Sequence, residues 1–418
     1  MKTSFPKDKI KVVLVENIHP SGAAMFRSEG FSVETMTGAP DEAKLLKLVE
    51  TAHVLGIRSK TEVTPKVLAA AQRLLAVGCF CIGTNQVDLA GARRLGTPVF
   101  NSPFSNTRSV AELTIAEIVS LYRRLTEKTA QMHAGLWDKS AEGAHEVRGR
   151  TLGIVGYGHI GSQVSVLAEA FGMRVLFYDI IAKMPLGNAR PVKTLAELLK
   201  ESDVVTLHVP ATDSTKNLIA AAQLKKMKPG SYLINNSRGS VVNLDDLAQA
   251  VKSKHLAGVA LDVFPDEPAS KGEQFVSPVR GLPNVILTPH VGGSTEEAQA
   301  TIADDVCTKL LKFINVGTTT GAVNVPEVEL PEQMAQAQDD GARKDRPHRI
   351  LHFHRNVPGV LSNMHRAIAE IGVNISAEYL RTSEEIGYVV LDVDPTAADP
   401  VLERLRKIPE TIRVRMLW

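Results

Sequence analysis

Residues 151–161, TLGIVGYGHIG, place Gly156, Gly158 and Gly161 at the spacing G-x-G-x-x-G directly after an apolar run. The chemistry this spacing serves is the holding of a pyrophosphate. The first glycine permits a tight turn, the second lets backbone approach the phosphates, and the third lets a helix pack closely on its strand. The free N–H groups of that helix then face the anion. His159 and Ile160 lie on the turn itself, beside the phosphates. Asp179 ends the next apolar run, RVLFYD, eighteen residues after Gly161, where it can accept hydrogen bonds from adenosine ribose hydroxyls. A 2′-phosphate about 4 Å from that carboxylate is repelled by roughly 4 kcal/mol per unit charge at an effective dielectric near 20. The expected cofactor is therefore NAD and not NADP.

A strand must precede the glycine turn and a helix must follow it, and the surrounding pattern supplies both. From Gly153 the runs TLGIVG, RVLFYD, VVTLHVP, SYLINNS, GVALDVF and VILTPH read as strands between helical stretches. A similar rhythm fills the first hundred residues, with KVVLVE, VETM, VLGIRS, LLAVGCFCIG and PVFNSP as strands. Alternation of this kind predicts parallel sheets with helices on their faces. Thr64 and Pro65 form an N-cap and a first-turn proline. Residues 107–129 predict one long helix, and residues after His290 predict another. Residues 331–346 hold almost no large apolar side chain and read as a linker. The last 72 residues read strand, helix, strand, strand, helix, strand.

The chain has 418 residues, 44% hydrophobic and 22% charged, with a formal charge of +2. Length predicts two to four domains. The charge gives no field that would favour nucleic acid or an anionic membrane, and no apolar run approaches the roughly 18 residues of a membrane span. The N-terminal apolar core, Val12 to Val15, is too short for a signal peptide. Three cysteines, Cys79, Cys81 and Cys307, are too few for a disulfide framework, which predicts a cytoplasmic setting. The C-x-C pair in GCFCIG reads as core packing.

Three stretches after the glycine turn, MKPGSYLINNSRGSVVNLDDLAQAV, GVALDVFPDEP and LTPHVGGSTEEA, resemble the D-isomer-specific 2-hydroxyacid dehydrogenases. The resemblance implies catalysis by Arg238, Glu267 and His290. It also sets Asn236, Ser237, Arg238, Asp262, His290, Gly292 and Gly293 on the cofactor side. The residue types suit the reaction. Histidine can take the hydroxyl proton, a carboxylate beside it raises its pKa, and arginine can grip a substrate carboxylate and polarise the C2 oxygen. The family implies an α/β fold of two doubly wound parallel-sheet domains, with a Rossmann NAD domain inserted into a discontinuous substrate domain. The expected parts are 1–105 (substrate domain, first part), 106–293 (NAD domain), 294–330 (substrate domain, second part), 331–346 (linker) and 347–418.

The stretches IRSKTEVTP and VGCFCIGTNQVDLAGARRLGTPVFNSPFSNTRSVAEL, with the terminal unit, resemble the family's serine-regulated branch. That branch oxidises D-3-phosphoglycerate to 3-phosphohydroxypyruvate in serine biosynthesis, with reduction of 2-oxoglutarate as a side activity. Its phosphorylated substrate needs further cations, for which Arg58, Lys60 and Lys139 are candidates, with Ser59 and Asn106 as neutral donors. The branch usually has Arg at the Lys60 position; Lys keeps the charge but acts as a point charge. HFHRNVPGVLSNMHRAIAEIGVNISAEYL resembles an ACT domain, which implies L-serine as effector, held by His354, Asn356 and Asn374. A side-by-side ACT pair requires a homo-oligomer, at least a dimer, and the family suggests a tetramer. His352 and His354 lack a third ligand nearby, so no metal is expected. The alternatives are a glyoxylate or hydroxypyruvate reductase on the same fold and an NAD-sensing corepressor.

Overall fold

The computed structural model describes residues 6–268, 272–331, 347–394 and 398–417. All but the first residue of the expected linker, 331–346, lies outside them. The chain divides into two compact units, Met1–Ser105 with Gln299–Trp418, and Asn106–Ala298.

In the first unit, β1 (Lys11–Leu14), β2 (Ser32–Thr35), β3 (Val54–Ile57), β4 (Ala76–Cys79) and β5 (Val99–Asn101) form a parallel sheet in the order β2-β1-β3-β4-β5. β3 and β4 are buried along their whole length, as a sheet covered on both faces requires. Thr64 caps the helix Pro65–Ala70 by accepting from Val67 N–H, with Pro65 in its first turn.

In the second unit, β6 (Thr151–Val155), β7 (Arg174–Tyr178), β8 (Arg190–Pro191), β9 (Val204–Leu207), β10 (Ser231–Asn235), β11 (Leu256–Leu261) and β12 (Val285–Leu287) form a seven-stranded sheet. Their order is β12-β11-β10-β9-β6-β7-β8, and every pairing is parallel. The order reverses beside β6, the strand that runs into the glycine turn. In open α/β sheets ligands bind outside the strands' carboxyl ends at such a switch point.

The helix expected over 107–129 is two helices, Thr107–Arg123 and Leu125–His133. Arg124 between them is left-handed, with φ at 50°, and its N–H returns to the carbonyl of Leu121. Its Nε donates to Glu127 at 2.6 Å, and Glu127 in turn accepts from the Asn284 N–H at 2.7 Å. Periodicity continued through this break because both helices keep apolar residues at helical spacing.

The C-terminal strands β13 (His348–Arg355), β14 (Ile375–Thr382), β15 (Ile386–Val393) and β16 (Thr411–Leu417) pair antiparallel in the order β14-β15-β13-β16. This is the βαββαβ unit expected from the sequence. One face packs on its own helices through Ile350, Val389 and Leu391. The other face, with Leu351, Phe353, Tyr388 and Val390, joins the core made by β1, β3 and the helix Glu296–Val316. Arg349, 1% exposed, makes a two-pronged ion pair with Asp392 at 2.7 and 2.8 Å. Its Nη1 donates to the carbonyls of Val316 and Pro331, and Tyr388 Oη donates to Gly317 O at 2.6 Å.

Removing one partner of a buried ion pair leaves an uncompensated charge, at a cost of about 3–5 kcal/mol. Asp392→Ala is therefore expected to strip hydrogen-exchange protection from β13 and β15. Equal protection in variant and wild type would show that the pair contributes nothing to the seating of this sheet.

Candidate active site

The glycine turn is built by close approach. Gly156 has φ +92° and lies so near the end of β9 that a Cβ would stand 2.4 Å from the His208 carbonyl oxygen. At Gly161 a Cβ would stand 2.2 Å from the Gly156 carbonyl. Gly158, by contrast, opens onto free space and caps the helix His159–Ala170 without any side-chain bond to its first N–H groups. Open space above a helix N-terminus fits a pyrophosphate. Asp179 sits past β7 with its carboxylate fixed by two backbone donors, Tyr157 N–H at 2.8 Å and Ile181 N–H at 3.0 Å. His159 is exposed and Ile160 half-buried at the start of that helix. His208, which the sequence reading passed over, bonds Thr206 through Nε2 at 3.0 Å, and its buried Nδ1 has no partner. Burial pushes its pKa down to about 3, so the ring is neutral. An unpartnered buried nitrogen beside Gly156 also fits a bound dinucleotide.

Arg238, Glu267 and His290 follow β10, β11 and β12, three neighbours in the sheet. His290 Nδ1 lies 2.8 Å from Glu267 Oε2. Because the carboxylate can only accept, Nδ1 carries the proton and Nε2 is left for chemistry. This contact raises the His290 pKa against an opposing effect of burial. Burial also pushes the Glu267 carboxyl up, but donation from His290 and the Phe264 N–H outweighs it and holds the group below the ordinary range. Arg238 is half-buried, with Nη1 donating to the Ser237 carbonyl at 2.7 Å. Gly239 lets this turn lie against the loop that carries Glu267, since a Cβ there would stand 1.9 Å from the Phe264 carbonyl carbon.

Asp262 is buried and accepts from the Thr288 hydroxyl, the Val291 N–H and the Gly292 N–H at 2.6, 2.8 and 2.7 Å. These bonds shape the turn that holds His290 at φ 55°. Asn235 organises the Arg238 turn, accepting from Ser237 N–H and Oγ and donating to the Arg238 carbonyl. Asn236 points its amide into the helix Thr107–Arg123, donating to Thr114 Oγ1 at 3.0 Å and Glu117 Oε2 at 2.7 Å. Burial pushes the Glu117 pKa up to about 8, so it is neutral at pH 7. Asn235 and Glu117 were legible only as a polar strand end and as one acid in an apolar stripe. Asn106 stands at the N-cap position of that same helix without a side-chain bond to it and packs its amide on Gly293, where a Cβ would stand 2.4 Å from Nδ2. Lys139 is exposed.

In the other unit, Arg58, Ser59 and Lys60 follow β3. Glu16, buried and at φ 61°, accepts from the backbone N–H groups of Arg58, Lys60 and Thr61 at 3.0, 3.0 and 2.8 Å. Those three N–H groups are therefore turned toward the Glu16 carboxylate and not toward an anion. In the terminal sheet, His354 is buried with Nδ1 bonded to the Arg355 carbonyl and Nε2 unpartnered. Asn356 is exposed and donates to the Ser383 carbonyl at 2.7 Å. Asn374 is exposed just before β14.

Asp179→Asn keeps the shape of the ribose site and removes its charge. NADP affinity relative to NAD is expected to rise at least about tenfold, the equivalent of 1.4 kcal/mol, in fluorescence titrations. An unchanged ratio would place the discriminating charge elsewhere.

Residues 115–292 match the family model of the D-isomer specific 2-hydroxyacid dehydrogenase NAD binding domain, and residues 350–413 match an AHAS small subunit-like ACT domain. The D-3-phosphoglycerate dehydrogenase of Escherichia coli K12 is 51% identical, covering 100% of both chains. That of Dictyostelium discoideum is 49% identical over 100% of this chain and 99% of its own. Among solved structures, the TT0316 protein of Thermus thermophilus has a TM-score of 0.69 at 33% identity, covering 75% of this chain and all of its own. D-lactate dehydrogenase of Aquifex aeolicus, complexed with NAD and lactic acid, has a TM-score of 0.62 at 29% identity, over 72% of this chain and 95% of its own. Among the described residues no helix is long and apolar enough to cross a membrane. The chain belongs to the NAD-dependent D-isomer-specific 2-hydroxyacid dehydrogenases, in the branch of the D-3-phosphoglycerate dehydrogenases.

Proposed function

We propose that this protein oxidises D-3-phosphoglycerate to 3-phosphohydroxypyruvate and that L-serine inhibits it. The observation that carries the reaction type is the His290–Glu267 pair at 2.8 Å beside Arg238, on the unit that holds the dinucleotide turn. The phosphorylated substrate and the serine effector rest on full-length similarity to D-3-phosphoglycerate dehydrogenases and on the ACT match. NAD supplies the hydride acceptor when bound.

His290 Nε2 takes the C2 hydroxyl proton, and Glu267 stabilises the imidazolium that results. In reduction the same protonated ring returns the proton, so its raised pKa favours that direction at neutral pH. Arg238 grips the substrate carboxylate and polarises the C2 oxygen as charge develops on it. Arg58 and Lys60 hold the phosphate through their side chains, with Ser59, Asn106 and Lys139 as further donors. His354, Asn356 and Asn374 hold serine, with unpartnered His354 Nε2 available to an amino acid's ammonium or carboxylate. Two ACT sheets pair side by side, which makes the protein at least a dimer, and a tetramer in the manner its family suggests. Three free cysteines support a cytoplasmic setting.

Glu267→Gln removes the charge that raises the His290 pKa. The rising limb of the oxidation profile is expected to move to lower pH. Above both pKa values the reduction rate falls about tenfold for each unit lost. A limb that stays in place would exclude Glu267 as the partner that sets it.

NADH oxidation is expected with 3-phosphohydroxypyruvate, to be stronger than with hydroxypyruvate or glyoxylate, and to fall when serine is added. Asn356→Ala and Asn374→Ala should each lose the serine effect while turnover stays at the wild-type rate. Full serine sensitivity in both variants would refute the effector assignment, and preference for an unphosphorylated acid would refute the substrate.

A further inference from the structure

A pocket of about 510 Å³ in the first unit lies apart from every residue assigned above. It is lined by His53, Gln72, Arg73, Leu75, Arg413, Val414 and Arg415. His53 stands just before β3, residues 72–75 lie between the helix Pro65–Ala70 and β4, and the rest come from β16. β16 is an edge of its sheet, so the pocket sits between the outer strand of the ACT sheet and the turn that feeds β4.

The lining carries three guanidinium groups and an imidazole but no carboxylate. Among the described residues none of Arg73, Arg413 and Arg415 forms an ion pair with an acidic side chain. Their hydrogen bonds are to neutral groups: Arg413 Nη1 donates to the Leu74 carbonyl and Arg415 Nη2 to the Ile314 carbonyl. Arg415 also stacks its cation over Phe313 at 5.8 Å, and its buried Nη1 has no partner. Burial lowers the Arg415 pKa to about 10 and also holds Arg413 below the ordinary value. His53 is held down by burial and by the charges of Arg73 and Arg415.

Neutral carbonyls satisfy donors but do not neutralise charge, and three cations gathered without an anion repel one another. The contrast with Arg349 in the same sheet is direct, since that guanidinium is neutralised by Asp392. Guanidinium forks bind the oxygens of carboxylate and phosphate groups in pairs. We infer that the pocket between β16 and the turn before β4 binds a small polyvalent oxyanion, a phosphate or a dicarboxylate, which ties the ACT sheet to the substrate part of its unit. Arg73, exposed at the rim, admits the anion, and Arg413 and Arg415 receive it.

Hydrogen exchange on the full chain tests this with inorganic phosphate, succinate and sodium chloride at matched ionic strength. At about ten times the dissociation constant, exchange through local opening slows about tenfold. That slowing is expected for residues 72–76 and 411–417 with phosphate, succinate or both, and not with chloride. Whichever of the two protects more identifies the ligand as phosphoryl or dicarboxylate. Arg73→Gln should abolish the protection while NAD-linked turnover is unchanged. Protection that chloride reproduces, that survives in Arg73→Gln, or that appears only at residues 58–61 would overturn the inference.

Discussion

Asp262 accepts three hydrogen bonds from a single turn, two from backbone N–H groups and one from the Thr288 hydroxyl. The turn it closes holds His290 in a left-handed conformation that a non-glycine residue adopts at a cost of about 1–2 kcal/mol. Hydrogen bonds to a charged acceptor contribute about 1.5–3 kcal/mol each, more than enough to offset that strain. The left-handed residue is what turns the imidazole back toward the β11 loop, where Glu267 meets Nδ1. Fixing Nδ1 as the protonated nitrogen leaves Nε2 as the one that exchanges a proton. The acid–base geometry thus rests on a carboxylate that itself takes no part in proton transfer.

Around this charged centre the buried ionisable groups are neutral. Glu117 keeps its proton at neutral pH because burial outweighs donation from Asn236, and the negative Asp262 adds to that effect. His208 gives up its proton for the same reason. A charged Glu117 would set a second anion near Asp262 and weaken the turn; a charged His208 would set a cation beside the glycine turn. Low dielectric strengthens the hydrogen bonds to buried Asp262 that hold the His290 turn, while the His290–Glu267 contact itself is open to solvent.

The dinucleotide turn was legible because its function forces its sequence. Only glycine fits where a Cβ would stand 2.4 Å from the His208 carbonyl, and an acid at the end of β7 both accepts from ribose hydroxyls and repels a 2′-phosphate. The βα rhythm was legible because strands covered on both faces must be continuously apolar. The break at Arg124 was not, since nothing local marks it: it depends on Glu127 being held by Asn284, 157 residues away. Glu16 escaped for a similar reason, as its carboxylate acts on a loop more than forty residues downstream. The resemblance sets Asn236 on the cofactor side, but its Nδ2 bonds to Thr114 and Glu117 of the neighbouring helix were not legible, since those partners lie 122 and 119 residues away.

The terminal sheet has two faces with different tasks, and its side-chain alternation divides them. Along β13, Ile350, His352 and His354 face the sheet's own helices, while Leu351 and Phe353 face the core of the rest of the unit. The two histidines are buried on the first of these faces, where desolvation pushes the His352 pKa down to about 3. The opposite face is bonded to the C-terminal end of the helix Glu296–Val316 and the segment after it, through Arg349 to Val316 and Tyr388 to Gly317. A ligand that shifts β13 on one face must therefore move donors anchored on the other. Close-packed sheets do not deform locally without disturbing their contacts. The C-terminal sheet is accordingly a continuation of its unit's core, so a displacement of β13 reaches that core through direct packing and hydrogen bonds.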